Sequence, residues 1–354
     1  MPTQPFVHMP LPTRVVFGAG SLSTLAAELD RLDVWRALVL CTPGQTALAG
    51  KVADLLGDRH VGVFPGAVMH VPIEVAREAR ALAARLNADC AIAIGGGSTI
   101  GLGKAIALES PLPIVAIPTT YAGSEMTPIY GITTAGEKQT GRTMQVLPRT
   151  VLYDPALTLA LPVSISMVSG LNAIAHCVEA LYATDATPIT SLMAEEGIRA
   201  LSLGLPRVKD RADDIDARGD CLYGAWLAGS VLGSCAVALH HKLCHTLGGM
   251  LNLPHAETHA IILPHAVQYN ASAAPEAMAR IARALQADDA AGGLHRLAIQ
   301  LGAPLALRDL GVRREDLPRV ADQALRAPYP NPAPLTREGI LRLLEHAFEG
   351  AAPH

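Results

Sequence analysis

Short apolar runs, each followed closely by glycine or proline, recur through the first 155 residues of the chain. They are RVVF (14–17), RALVLC (36–41), HVGVF (60–64), CAIAI (90–94), PIVAI (113–117) and VLY (151–153). Stretches with helical spacing lie between them, such as the amphipathic segment at residues 73–86. Nearly continuous apolar strands that alternate with helices are typical of a parallel sheet covered on both faces. The first half is therefore predicted to be a Rossmann-like α/β domain.

The pattern changes after Pro155. A long helical segment begins at Pro162, further helical segments continue through Glu349, and strand signals almost vanish. A chain of 354 residues is long enough for two domains of ordinary size. We therefore predict an α/β domain over residues 1–157 and an all-helical domain over residues 158–354.

The composition excludes several classes of function. Half of the residues are apolar, 17% are charged and the net charge is −4, so no basic stripe indicates a nucleic-acid or membrane-surface partner. The N-terminus lacks a charged region followed by an apolar one, and no apolar run reaches the roughly 18 residues of a membrane span. Six cysteines without a CxxC pair are expected to be reduced and buried. We expect a cytoplasmic protein.

A glycine-rich loop follows the CAIAI strand and opens the next predicted helix. Its residues Gly95, Gly96, Gly97 and Ser98 leave the backbone bare, so amide N–H groups can approach a phosphate at the helix N-terminus. The motif is not GxGxxG, and a plain strand–helix turn is the alternative interpretation. We predict that it binds the pyrophosphate of a dinucleotide, and that Lys104 on the same helix contributes.

A second loop, PTTYAGSE, follows the next strand and supplies the hydroxyl groups of Thr119, Thr120 and Ser124. Loops at the carboxyl ends of adjacent strands are where an open α/β sheet binds ligands. An acid after the RALVLC strand would repel the 2′-phosphate of NADPH, but Thr42 stands there and no acid follows before Asp54. We expect NADH as the cofactor, with NADPH accepted.

Histidine is concentrated in one stretch of the second half. Six of the thirteen histidines lie between residues 240 and 265, in the run HHKLCHTLGGMLNLPHAETHAIILPH. Imidazole binds metals and relays protons near neutral pH, so this density indicates a reaction centre. Three of the six are interpreted as mainly structural or surface residues: His240, His259 and His265.

The spacing of the remaining histidines favours one common site. His241 and His245 are four residues apart, and so are Asn172 and His176 further upstream, so each pair shares one helix face. His255 follows a proline in a predicted loop. Two helix pairs and a loop imidazole could converge on one cleft, and structural histidines satisfied within helices are the alternative.

Four separated motifs then carry a resemblance. GGGSTIGLGK, PTTYAGSEMT, NAIAHCVEALYA and HHKLCHTLGG with LPHAETHAIILPH occur in the order that is typical of the iron-containing (group III) alcohol dehydrogenase superfamily, and the resemblance spans nearly the whole chain. It implies a dehydroquinate synthase-like architecture with the active site between a nucleotide domain and a helical domain. It also implies a metal held by one Asp and three His, at positions occupied here by Asn172, His176, His241 and His255.

The chain departs from the superfamily at two positions. Asn172 replaces the Asp, and a neutral amide is a poor ligand for a hard divalent ion. Gly101 stands where the typical pattern has a second Asp. Both changes resemble the maleylacetate reductase branch, whose members are taken to work without a catalytic metal. That resemblance implies NAD(P)H-dependent reduction of maleylacetate to 3-oxoadipate in aromatic compound degradation, by a homodimer.

The chemistry of this reaction suits a site without a metal. An alkene conjugated to a ketone is already electrophilic, so hydride can add to the carbon β to the ketone while an enolate forms. We predict His245 or His241 as the general acid, without ranking them. We expect His176 and His255 to bind the oxyanion or a substrate carboxylate.

A dicarboxylate substrate also needs cationic partners. Lys104, Arg142 in a predicted loop, and Lys242 are the candidates, with Tyr121 as a further substrate contact; a solvated surface charge is the alternative for Arg142 and Lys242. Two other functions stay open. One is a metal-dependent alcohol or polyol dehydrogenase, because three histidines alone can hold zinc. The other is a relative without NADH turnover that uses the cleft for binding or lyase chemistry.

Overall fold

The computed structural model describes residues 5–134 and 137–353. The chain divides into two compact units, an α/β unit formed by Leu11–Leu161 and a helical unit that begins at Pro162. The units change after Leu161 rather than at the predicted residue 157, because Leu157 still packs against the core of the α/β unit. Described residues before Leu11 group with the helical unit, where His8 contacts the Thr187 hydroxyl.

The α/β unit is built on a parallel sheet that has six strands in the described part of the chain. Their order across the sheet is β1 (Arg14–Phe17), β8 (Thr150–Tyr153), β5 (Ile114–Pro118), β4 (Cys90–Gly95), β2 (Ala37–Leu40) and β3 (His60–Phe64), all parallel. The four inner strands are buried along their whole length, and the two edge strands are partly exposed. The predicted parallel sheet is confirmed.

Both faces of the sheet are covered by helices. The helices are α1 (Leu25–Leu32), α2 (Thr46–Leu56), α3 (Ile73–Arg85) and α4 (Gly97–Ala107). Since successive strand residues point to opposite faces, Val39 packs with α1 and α2, whereas Leu38 and Leu40 pack with α3 and α4. Two apolar layers therefore enclose the sheet, as the unbroken apolar strands predict.

An antiparallel hairpin of this unit does not appear in the sequence prediction. It pairs β6 (Ile129–Thr134) with β7 (Glu137–Arg142). The segment EKQTGR is polar and carries no alternation of apolar side chains, which is the usual sign of a strand. The prediction that Arg142 lies in a loop is therefore wrong, because it is the last residue of β7.

The second unit is helical throughout its described length after Pro162. Its helices are α5 (Val163–Leu181), α6 (Pro188–Asp210), α7 (Ile215–Ser234), α8 (Leu239–Leu251), α9 (His255–Asn270), α10 (Pro275–Leu285), α11 (Ala290–Leu301), α12 (Leu317–Ala324) and α13 (Arg337–Glu349). Side chains of α8, α9, α12 and α13 form one apolar core. Among the described helices, α5 by itself is long and apolar enough to cross a membrane, but 83% of its most apolar 18-residue stretch is buried inside the protein.

Glycines set how closely α5, α6 and α7 approach one another. A Cβ atom on Gly224 of α7 would lie 2.6 Å from Leu201 Cγ and 3.1 Å from the Gly197 carbonyl oxygen on α6. Real Cβ atoms do not approach other atoms at 2.6 Å, so these two helices pack backbone against backbone at this crossing.

We predict that Gly224→Ala destabilises the protein by about 1–3 kcal/mol, the usual effect of overpacking a core. The matched control is Gly50→Ala in α2, where a Cβ would meet nothing within 4 Å. That control should gain about 0.5–1 kcal/mol, because alanine is the better helix former. Urea unfolding midpoints measure both variants, and equal shifts would contradict the packing account.

Candidate active site

The glycine loop lies where the sheet reverses its order of connection. The chain leaves β2 toward β3 on one side and leaves β4 toward β5 on the other, while β2 and β4 are neighbours. Open α/β sheets bind ligands in the crevice at the carboxyl ends of such strands. The structure brings Thr42, Gly95 and Thr119 together at this edge, since Gly95 ends β4, Thr119 directly follows β5 and Thr42 is the second residue after β2.

The first two glycines of the loop, Gly95 and Gly96, leave no room for side chains. Gly95 has φ +149°, and a Cβ there would lie 2.5 Å from Thr99 Oγ1, while a Cβ on Gly96 would lie 3.0 Å from Thr120. Within the described residues, the buried Thr99 hydroxyl has no hydrogen-bond partner. Bare backbone at the N-terminus of α4, partly exposed residues Gly97 and Ser98, and an unsatisfied hydroxyl together fit a pyrophosphate group.

A side chain that the sequence prediction missed connects two of these loops. Thr42 Oγ1 donates to Gln45 Oε1 at 3.0 Å, and Gln45 Nε2 donates to Thr119 Oγ1 at 3.0 Å. The amide of Gln45 thus ties the loop after β2 to the loop after β5. Its position three residues after Thr42, in the turn TPGQ, is the only signal in the sequence.

Lys104 lies on α4, as predicted, and its side chain contacts the second loop. It is fully buried, and its Nζ donates to the Ser124 and Ile129 carbonyl oxygens at 2.6 and 2.7 Å and to the Thr127 hydroxyl at 2.8 Å. Burial lowers the pKa of Lys104 to about 7, against the attraction of the Glu125 carboxylate. The Lys104 side chain thus holds the loop that carries Ser124, and its contacts with cofactor and substrate stay a prediction.

Tyr121 and Gly101 belong to the second loop and to α4 of the α/β unit. Tyr121 is fully buried, and its contact with substrate stays a prediction. A Cβ on Gly101 would lie 2.9 Å from Val71 Cγ2, and Val71 itself has a positive φ of 45°. An aspartate side chain at position 101 would therefore require Val71 to shift.

The histidine site lies in the helical unit and begins with a chain of hydrogen bonds. Asn172 Nδ2 lies 3.4 Å from His176 Nε2, and His176 Nδ1 lies 2.8 Å from His241 Nε2. His241 Nδ1 lies 2.7 Å from Glu179 Oε2. All four side chains are at most 5% exposed, and they come from helices α5 and α8.

Glu179 is the second functional candidate that the sequence prediction missed. It is 1% exposed, and it also accepts the backbone N–H groups of Ala238 and His240 at 2.8 and 2.7 Å. Burial raises the pKa of this carboxyl, opposed by His240 and the backbone donors. The only signal in the sequence is its position three residues after His176.

Two histidines that the sequence assigned to structural roles lie inside the cluster. The His240 and His259 rings are fully buried, with centroids 4.8 Å apart, and the His259 centroid lies 5.1 Å from that of His241. Burial lowers the pKa of His240 to about 4 and that of His241 to about 3, and it lowers the pKa of His259 well below its usual value. These imidazoles are neutral at neutral pH. His265 is also buried, at 4% exposure.

The outer end of the cluster is exposed. His245 on α8 and His255 on α9 are exposed side chains with stacked rings 6.2 Å apart, and the His255 ring lies 4.2 Å from that of His259. The prediction that His255 lies in a loop is wrong, because it is the first residue of α9, after the N-cap Pro254.

The two cationic side chains predicted to bind the substrate, Lys242 and Arg142, lie in different units. Lys242 Nζ is 5.5 Å from the centroid of the Tyr329 ring, within the helical unit. Arg142 is exposed at the end of β7, in the α/β unit. Lys242 lies three residues before His245 on α8, a spacing that brings two side chains to the same helix face.

The set formed by Asn172, His176 and His241 does not fit a divalent cation as it is arranged. Asn172 offers no charge, and the ring nitrogens of His176 and His241 pair with each other and with Asn172 and Glu179. A second trio, His240, His241 and His259, has ligand atoms within 4.8 Å of one another. Tetrahedral zinc with bonds of about 2.0–2.1 Å needs nitrogens about 3.3 Å apart, and His240 Nδ1 and His241 Nδ1 lie 3.5 Å apart, so this trio is the candidate metal site among the described residues.

A nucleotide-type sheet with a bare glycine loop and a helical unit that carries a buried histidine cluster define a two-domain oxidoreductase. The family model of iron-containing alcohol dehydrogenase matches residues 12–155, and the model of the C-terminal part of the Fe-containing alcohol dehydrogenase family matches residues 166–348. The chain therefore belongs to the iron-containing alcohol dehydrogenase family.

Similar proteins carry one recurrent name. The chain is 62% identical to the maleylacetate reductase of Burkholderia cepacia, over 96% of this chain and 97% of that protein. It is 56% identical to the maleylacetate reductase of Sphingobium indicum, over 98% and 99%. The crystal structure of maleylacetate reductase from Agrobacterium tumefaciens is 52% identical, with a TM-score of 0.97 over 99% of this chain and 100% of that one.

The depressed histidine pKa values predict acid sensitivity. Unfolded His240 and His241 bind a proton below pH 6.5, whereas the folded residues stay neutral down to about pH 4 and 3. The unfolded state then holds more protons than the folded state. The free energy of unfolding therefore decreases as the pH is lowered, by about 1.4 kcal/mol per pH unit for each histidine. Between pH 6.5 and 4, His240→Gln should reduce the slope of the unfolding free energy against pH by the contribution of one histidine, about 1.4 kcal/mol per pH unit.

Urea unfolding at a series of pH values in that window measures the slope. The control is His346→Gln on α13, which lies outside the cluster and should keep the slope of the unaltered protein. Equal slopes for His240→Gln and the unaltered protein would contradict the neutral state of His240.

Proposed function

We propose that this chain reduces the carbon–carbon double bond of maleylacetate to 3-oxoadipate, with NADH as the preferred cofactor, NADPH accepted and no catalytic metal. The observation that carries the proposal is the hydrogen-bond chain from Asn172 through His176 and His241 to Glu179. Where the family has a carboxylate to anchor a cation, this chain has an amide paired with an imidazole. The names of its relatives, at 52–62% identity for seven of them, support the same substrate.

The reaction needs a stabilised oxyanion and one proton. The reduced nicotinamide, when bound at the glycine loop, supplies the hydride. Conjugation carries the resulting charge to the ketone oxygen, where neutral imidazole N–H groups can donate hydrogen bonds without a Lewis acid. An isolated alcohol or ketone has no such conjugation, which is why a metal matters more for those substrates.

The geometry ranks the two general-acid candidates. Both ring nitrogens of His241 are engaged, it is 3% exposed, and burial lowers its pKa to about 3. His245 is exposed on the same helix face, four residues later. We propose His245 as the proton donor and His255 as the partner that binds the oxyanion.

The carboxylates of the substrate need a positive charge that the buried imidazoles do not supply, because burial keeps His240 and His241 neutral. Lys242 is the cation of the helical unit closest in sequence to the histidine pair. We propose that it binds one carboxylate of the substrate, as a charge-assisted hydrogen bond.

The direct assay follows NADH oxidation with maleylacetate in protein freed of metal with a chelator, with product identified by mass. We expect turnover that the chelator leaves unchanged. The competing function, a metal-dependent alcohol or polyol dehydrogenase, is favoured by the family's iron and by the histidine trio of the cluster. Turnover that requires added iron or zinc, or activity on alcohols alone, would overturn the proposal.

We predict that Asn172→Asp converts the site toward metal binding. A carboxylate cannot donate to His176 Nε2, so two acceptors would face each other, and a divalent cation between them relieves the repulsion. Affinity for zinc or iron should rise by about tenfold or more, the scale of effects that ligand environments have on metal sites. Maleylacetate turnover should fall.

Metal content after reconstitution and dialysis measures this change. Asn87→Asp is the matched control, because it places the same charge on an exposed residue of the α/β unit. Equal metal content in both variants would contradict the role assigned to Asn172.

A further inference from the structure

We propose that Glu179 is a positioning residue that fixes the tautomers of the histidine chain and thereby decides which ring nitrogen donates and which accepts. Nothing in the sequence motif assigned it a role. The kinetic part of this inference rests on the proposed function, whereas its structural part concerns the imidazoles alone.

The first step is that both oxygens of Glu179 are held as acceptors. Oε1 accepts the His240 N–H at 2.7 Å, and Oε2 accepts the Ala238 N–H at 2.8 Å. Backbone amides only donate, and the N-terminus of α8 favours negative charge. The third partner, His241 Nδ1 at 2.7 Å from Oε2, is therefore a donor as well, and His241 carries its proton on Nδ1.

The tautomer of His241 determines that of His176, the next residue in the series of hydrogen bonds. A neutral His241 with its proton on Nδ1 has a lone pair on Nε2, which lies 2.8 Å from His176 Nδ1. His176 therefore also carries its proton on Nδ1 and presents a lone pair at Nε2. Asn172 Nδ2, 3.4 Å away, is the donor that this lone pair needs. Each hydrogen bond in the chain thus joins one donor to one acceptor, and Glu179 determines which atom is the donor in each.

The direction of these hydrogen bonds decides which histidines can donate a proton to the substrate. With both inner imidazoles donating inward, neither His241 nor His176 has a ring N–H left for the substrate, so proton donation passes to the exposed histidines at the outer end of the cluster. The direction also explains the amide at position 172. An aspartate there would place an acceptor against the lone pair of His176.

A purely structural role for Glu179 is the competing account, because the carboxylate also caps the backbone at the start of α8. Glu179→Gln separates the two. Glutamine has nearly the same volume and keeps one acceptor oxygen for the backbone, but its NH₂ group cannot accept from His241 Nδ1. A cap alone would change stability and leave the histidine tautomers as they are.

The experiment is 15N NMR of histidine-labelled full-length protein, with the two resonances assigned by their loss in His241→Gln and His176→Gln. In the unaltered protein we expect His241 and His176 to be protonated on Nδ1. Glu179→Gln should shift His241 toward the Nε2–H form and lower kcat by about 10- to 100-fold with little change in KM, as loss of an orienting partner does. Glu179→Asp, which keeps the carboxylate, should retain the Nδ1–H form.

Glu195→Gln is the matched control, because Glu195 lies in the same helical unit and pairs with Arg280 and Arg283 away from the histidines. It should leave both tautomers and kcat unchanged. An Nε2–H form of His241 in the unaltered protein would overturn the inference even if Glu179→Gln does not fold, and so would an unchanged tautomer in a folded Glu179→Gln. Absence of maleylacetate turnover in the unaltered protein would instead refute the proposed function and leave the tautomer result standing.

Discussion

The buried carboxylate of Glu179 is the interaction on which the histidine site depends. It joins α5 to the first turn of α8 through two backbone N–H groups, and it holds His241 by a third hydrogen bond. Truncating one partner of a buried, hydrogen-bonded charge leaves the others unsatisfied, which is strongly unfavourable. The two helices and the orientation of the inner imidazoles are therefore determined together, by one side chain.

The inner imidazoles of the cluster are neutral because they are buried. Burial depresses the pKa of His240, His241 and His259, so the imidazoles act as dipoles with fixed donors and acceptors rather than as cations. In the proposed mechanism the exposed imidazole of His255 meets the developing oxyanion, and a preorganised donor stabilises it without reorganisation, provided that the carbon skeleton carries the charge to the oxygen. A conjugated enone meets that condition. Family membership, the amide at Asn172 and the proposed substrate are thus consistent with one another.

The sequence was informative where one local pattern determines the structure. Apolar strands ending in glycine predicted the parallel sheet, and its order places Thr42, Gly95 and Thr119 at one edge. The polar β7 strand has no such pattern, so the hairpin was missed. The burial of Lys104 and Tyr121 follows from tertiary packing, which spacing does not encode. Glu179 and Gln45 were missed for the same reason, since their partners lie 59–62 and 74 residues away.

The central claim is that hydride adds to a conjugated alkene while an imidazole, and not a metal, supports the charge. Reduction of maleylacetate by metal-stripped protein, with deuterium on the transferring position of the cofactor and in ordinary water, tests it most directly. The account predicts that NMR of the product shows deuterium on the carbon β to the ketone and a proton from water on the adjacent carbon. Deuterium on a carbinol carbon, with the double bond intact, would contradict it.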